Sequence, residues 1–212
     1  LKKLKRLESF DLVIDMQGLI KSALISKLIP SKKTIGFDKF SARESIASSF
    51  YDKTFNCRYD KNIIIRNIEL LEFSLRRSFN KKQIDLKNPY LHSKEQELNV
   101  TLSKSKKNIL LILGASHESK RYPAYKLGEM TKLIDANFLV IWGNTQERNL
   151  ASQIKEISPK IHICNNLSIG ALINLISEVD LVIGPDTGPS HMALALNVSS
   201  IILFGATPGY RN

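Results

Sequence analysis

Between residues 107 and 205 the chain alternates five short apolar runs, "KNILLILGA", "NFLVIWG", "IHICN", "DLVIG" and "SIILFG", with four amphipathic stretches, "YPAYKLGEMTKLI", "TQERNLASQIKEI", "SIGALINLISEV" and "PSHMALALN". Strand length in the first set and helical spacing in the second make this a run of strand–helix units. Such a run folds into a parallel, doubly wound α/β sheet. In such sheets ligands sit outside the carboxyl ends of the strands, so the loops after Gly114, Gly143, Asn165, Gly184 and Gly205 are expected to share one rim.

The first half has the same character in shorter form. After the end of a helix at the start of the chain, "FDLVIDMQG" reads as a buried strand and "LIKSALISKLI" as a helix with Ile20, Ala23, Leu24 and Leu28 at helical spacing. "KTIGF" is a second strand. "SARESIASSFY" reads as a helix or turn region capped by Ser41 with Glu44 three residues on, and "NIIIRNIELLEFSLRRSF" as a long amphipathic helix. From Asn80 to Lys107 the text turns polar and is broken by Pro89. The expected division is a first domain at 1–90, a linker at 91–106 and a second domain at 107–212.

Charge separates the halves. Residues 1–106 hold 22 Lys and Arg against 12 Asp and Glu, whereas residues 107–212 hold 9 against 8. A cationic half points to an anionic partner such as nucleic acid, acidic lipid head groups or a phosphorylated glycan; solvated faces of a lysine-rich chain are the duller alternative. No nucleic-acid recognition motif is present, and aromatics are not interleaved with the basic residues, which argues against nucleic acid. No apolar run reaches the roughly 18–20 residues of a membrane span, and the basic start has no signal-peptide core. Cys57 and Cys164 match no metal or redox spacing, which fits plain thiols in a reducing cytoplasm.

The stretch "GPDTGPSHMALALNV", residues 184–198, ends a strand on two glycines and two prolines and opens a helix near Ser190 and His191. A strand, a tight turn and a helix N-terminus aim backbone N–H groups at one point, a geometry that suits phosphate. Along the same rim lie Ser116, Lys120 and Arg121, then Asn144, Thr145 and Glu147, then Leu167 and Ser168, then Asp186, Thr187 and Gly188. A lysine with a helix N-terminus neutralises a diphosphate, and a neighbouring carboxylate accepts hydrogen bonds from ribose. Singly, each has a structural reading: Ser190 as helix N-cap, Thr187 and Gly188 as turn residues, Lys120 and Arg121 as solvated charges.

"DTGPSH" followed by "MALALNVSSIILFGATP" resembles the nucleotide-sugar motif of glycosyltransferase family 9, the heptosyltransferases. "DLVIDMQGLIKSALIS", "IGFD" and "SARESIASSFYDK" are similar to the members that add the first heptose to the Kdo–lipid A base of lipopolysaccharide, and "SKRYPAYKLGEM" and "IWGNTQERNLA" extend the likeness over nearly the whole chain. The resemblance implies a GT-B fold of two Rossmann-like domains and an inverting transfer from ADP-heptose, with the donor in the second domain and the acceptor in the first. It makes Lys120 the cation for the donor phosphates and Glu147 the partner of the adenosine ribose. Leu167 would line the adenine pocket, and Thr187 and Gly188 would meet the diphosphate with His191 and Ser116 close by. Asp186 would hold heptose hydroxyls and, with Lys120, form the catalytic pair. Gln17, Lys21 and Arg43 would face the acceptor's carboxylates and phosphates. The family's catalytic Asp lies in a segment expected before Leu1, and the family's final helices are expected after Asn212. No metal or other cofactor is expected, in keeping with the lack of an Asp-x-Asp pair. The expected location is the cytoplasm, peripheral on the inner leaflet of the inner membrane. The alternatives are a family member that acts later in the core and, from another class, a non-catalytic module that binds anionic glycolipid or nucleic acid.

Overall fold

The computed structural model describes residues 4, 7–80, 82–95, 100–115, 117–205 and 209–211. The chain divides into two compact units, Leu1–Asp85 with Gly209–Asn212, and Leu86–Pro208.

The first unit holds a three-stranded parallel sheet in the order β1 (Val13–Asp15), β2 (Thr34–Phe37), β3 (Lys53–Phe55). Helices α1 (Ile20–Leu28), α2 (Ile63–Leu75) and the short α3 (Lys82–Asp85) accompany it. Ile35, Phe37 and Leu70 form its core with Ala42 and Cys57. Asp15, at the end of β1, is buried but fully engaged. Its Oδ1 accepts from Gln17 N at 2.8 Å, and its Oδ2 accepts from Ser22 Oγ and Tyr51 Oη, each at 2.7 Å. A buried carboxylate survives only with such partners.

Two local expectations fail here. Strand β3 was not foreseen, because its residues are Lys53, Thr54 and Phe55, with the first two exposed and no apolar alternation to read. Ser41 and Glu44 do not form a capping box. Ser41 Oγ accepts from Cys57 N at 2.8 Å and donates to Asp38 Oδ1 at 2.6 Å, while Glu44 reaches back to accept from Ile20 N at 2.6 Å, capping α1 instead.

The second unit contains β4 (Asn108–Ile112), β5 (Asn137–Ile141), β6 (His162–Ile163), β7 (Leu181–Pro185) and β8 (Ser200–Leu203), all parallel, in the order β6-β5-β4-β7-β8. Between them run α4 (Ala124–Leu133), α5 (Thr145–Ile157), α6 (Ile169–Glu178) and α7 (Gly188–Ala195). Successive residues of a strand face opposite sides, and both sides are covered. Ile109 and Leu111 of β4 pack with Leu127 of α4 and Ile154 of α5, while Leu110 and Ile112 pack with Leu175 and Ile176 of α6 and Ala193 of α7. That double burial is why these strands read as unbroken apolar runs.

The polar segment before β4 belongs to the second unit and is hydrogen-bonded to the rest of it. Lys87 Nζ reaches the carbonyl of Leu194 and the side chain of Asn197, Tyr90 N donates to Ala195 O, and Ser168 Oγ donates to Glu95 Oε2 at 2.5 Å. Both cysteines are free and buried, and burial pushes the Cys164 thiol up to about 11. Among the described residues no helix is long and apolar enough to cross a membrane.

Candidate functional site

The chain order of the second sheet runs outward from β4 to β6 and then returns to β7 beside β4. At such a reversal the flanking loops part and leave a crevice over the strand ends. A cavity of about 590 Å³ lies there, walled by the loops after β4, β5, β6 and β7.

Asp186 follows β7 and is nearly buried. Lys120, at the end of the 3₁₀ turn Glu118–Lys120, donates to Asp186 Oδ2 at 2.7 Å, and His191 Nε2 lies 3.0 Å from Oδ1. Burial opposes the charged carboxylate, but the hydrogen bond and charge of Lys120, with His191 beyond it, outweigh burial and hold Asp186 below its ordinary value. The resemblance assigns Lys120 to phosphate; in the structure its ammonium is joined to Asp186 and is not among the residues that line the cavity.

The turn into α7 differs from the expectation. Thr187, with φ −145°, is the N-cap position, Gly188 is the first helical residue and Pro189 follows. Ser190 is therefore not the cap: it is buried in the first turn and donates to Pro185 O at 2.6 Å. Gly188 does not have a positive φ, and a Cβ there would meet open space, so its smallness leaves the helix start accessible from the cavity. Pro189 carries no N–H and His191 N already donates to Thr187 O at 3.1 Å, so the donors of this turn that lack an acceptor in a preceding turn are those of Gly188 and Ser190.

Glu147 is fixed from two sides. Asn144, the N-cap of α5, accepts from Glu147 N at 2.9 Å and donates to Glu147 Oε1 at 2.7 Å, and Gly143 N donates to Oε2 at 2.7 Å. A Cβ on Gly114 would run into this carboxylate, so a glycine at the end of β4 is what lets Glu147 lie over the cavity. Leu167 and Leu172 also line the cavity, and Ser168, which follows Leu167, caps α6 by accepting from Ala171 N at 3.0 Å. The structure thus brings Glu147, Leu167, Asp186, Thr187 and Gly188 to one cavity, with Lys120 and His191 behind Asp186. Ser116 lies outside the described residues. Arg121, placed on the rim by its sequence position but given no role by the resemblance, lines the same cavity.

Gln17, Lys21 and Arg43 are exposed on the first unit. Gly18, with φ +64°, turns the chain after β1 so closely against the next loop that a Cβ would stand 3.2 Å from Ala42 Cα and Arg43 N. Glu44 N donates to Gly18 O at 2.9 Å. These contacts hold the turn that carries Gln17 beside the loop that carries Arg43, with Lys21 in the first turn of α1. Among the described residues, no group of three His, Cys, Asp or Glu side chains is placed to hold a metal ion.

Residues 1–211 match the profile of glycosyltransferase family 9 (heptosyltransferase). The lipopolysaccharide heptosyltransferase 1 of Campylobacter coli is 39% identical, over 98% of this chain and 64% of that protein. That of Escherichia coli K12 is 28% identical, over 95% of this chain and 63% of that protein. The chain therefore spans just under two thirds of the length of these relatives. The structure of E. coli heptosyltransferase WaaC with ADP-2-deoxy-2-fluoro heptose superimposes with a TM-score of 0.77 at 24% identity, covering 96% of this chain and 64% of that one. The two parallel-sheet units have the GT-B fold of these enzymes. By the match along its whole length and by this architecture, the chain belongs to glycosyltransferase family 9.

Proposed function

We propose that the chain transfers heptose from ADP-heptose to the Kdo of Kdo–lipid A with inversion, and that the cavity at the β4–β7 reversal takes the donor. The observation that carries the reading is the accessible start of α7 facing the same space as the fixed carboxylate of Glu147. One end suits phosphate and the other suits ribose hydroxyls. Leu167 and Leu172 supply the apolar wall against which a base stacks.

A Kdo hydroxyl, its proton taken by the Asp expected before Leu1, attacks the anomeric carbon; as the bond from that carbon to the phosphate oxygen breaks, negative charge grows on the departing ADP. The N–H groups of α7 stabilise that charge in place, and Lys120, turned from Asp186, adds to them. Asp186, released in the same movement, accepts from heptose hydroxyls. In this scheme the charge is met by protein groups and no metal takes part. On the first unit, Gln17, Lys21 and Arg43 meet the acceptor's carboxylates and phosphates. Phe40 and Ile46, 72% and 62% exposed, flank Arg43 in sequence and suit attachment to the inner leaflet on the cytoplasmic side.

The direct test incubates the complete enzyme, with the Asp expected before Leu1 in place, with ADP-heptose and Kdo–lipid A in the presence of EDTA. A lipid product heavier by one heptose together with released ADP is expected. A requirement for added divalent metal removes the metal-free scheme, and absence of transfer with tight binding of UDP in place of ADP overturns the donor assignment.

A further inference from the structure

Arg121 and Lys120 are neighbours in sequence, yet they are used differently. The Lys120 ammonium is joined to Asp186. Arg121 lines the cavity and, among the described residues, is the one cation that does so. Its only described side-chain hydrogen bond is from Nη2 to Gln146 Oε1 at 3.2 Å, a neutral partner at the start of α5, and its Nε is buried with no hydrogen bond among the described residues. A buried guanidinium N–H without an acceptor is costly unless something else supplies one. Across the crevice, from the loop after the neighbouring strand β7, Gly188 leaves the start of α7 open. Two positive features, one from each side of the reversal, therefore face a single space.

We propose that Arg121 is the residue that holds the phosphates of a nucleoside diphosphate in the resting cavity, ahead of Lys120, which is engaged by Asp186 until the donor is seated. The inference rests on the nucleotide reading of this cavity. A guanidinium suits the task because its planar fork meets two phosphate oxygens at once and keeps its charge, whereas an ammonium acts as a point charge. The bond to Gln146 fixes the plane of the fork without neutralising it. Arg121 is thus a binding residue for the diphosphate, and Gln146 is a positioning residue acting through it.

The test measures ADP affinity of the full chain by isothermal titration at low and at high salt for the wild type, Arg121→Ala and Arg121→Lys, with thermal melts as a check on folding. Arg121→Ala is expected to weaken ADP binding about tenfold at low salt, the size of one charge-assisted contact, and to flatten the salt dependence. Arg121→Lys should restore the salt dependence but not the full affinity. Arg121→Ala that binds ADP as the wild type does, or binds more weakly with an unchanged salt dependence, overturns the proposal, the second result making Arg121 a prop for the wall. A wild-type chain that does not bind ADP overturns the nucleotide reading itself, and this inference with it.

Discussion

Asp186 is reached by Lys120 across 66 residues of sequence, a pairing that no local pattern encodes and that only the adjacency of β4 and β7 creates. Its carboxyl lies below the ordinary 3.8. The ionised form therefore contributes stability above the unfolded value, and that contribution is lost as pH falls through the lower folded value. Lys120→Ala is expected to move the Asp186 titration upward, read by carboxyl NMR, so that the stability the ionised carboxylate contributes above the unfolded value shrinks. In the transfer proposed for the complete enzyme the same change should raise the barrier by about 2–4 kcal/mol, seen as a fall in kcat. Gly188 and Ser190, two residues apart, separate folding from binding. Gly188→Val places its side chain in open space at an unstrained position, so the stability change should stay within about 0.5 kcal/mol while ADP affinity drops. Ser190→Ala removes a buried hydroxyl from Pro185 O and should cost about 1 kcal/mol in a chemical melt with ADP affinity kept.

Elements were legible where two faces of a strand or one face of a helix are buried, because burial writes a period into the sequence. All five strands of the second sheet and the four helices between them follow from that period. Strand β3 did not, since Lys53 and Thr54 are exposed and only the parallel ladder to β2 defines it. Caps were less legible than elements. Ser41 carries the right side chain for a cap but spends it on Cys57 and Asp38, and Glu44 serves a helix 24 residues away. Asn144 is the contrary case, a cap that does its local work. Asn144→Ala should cost about 1 kcal/mol of stability, measured by denaturant melts. It should also weaken ADP binding, because one of the two donors that fix the Glu147 carboxylate is lost. The cavity's membership was legible from the rim rule, whereas the internal pairing of Lys120 with Asp186 and the exposure of Arg121 to the cavity depend on side-chain directions that the rim rule does not give.

At the scale of the molecule the cavity lies within one of the two units. Residues 86–208 contain the whole cavity and both hydrophobic faces of the five-stranded sheet. Expressed alone, that segment is expected to bind ADP and residues 1–85 are not, a distinction that titration calorimetry on the separate pieces reads directly. Heat from the first unit alone would reverse the assignment. Of the cavity's lining residues only Ile112 and Ile141 belong to strands; the others stand on loops or in the opening turns of helices. The sheet and the walls can therefore change at different speeds in evolution. A loop such as 164–168 can be exchanged for one of other chemistry while the helices and strands beneath it keep their packing. On the proposed reading, donor preference in this scaffold is a replaceable part, and a chain with altered sugar or base selectivity needs new loops rather than a new core.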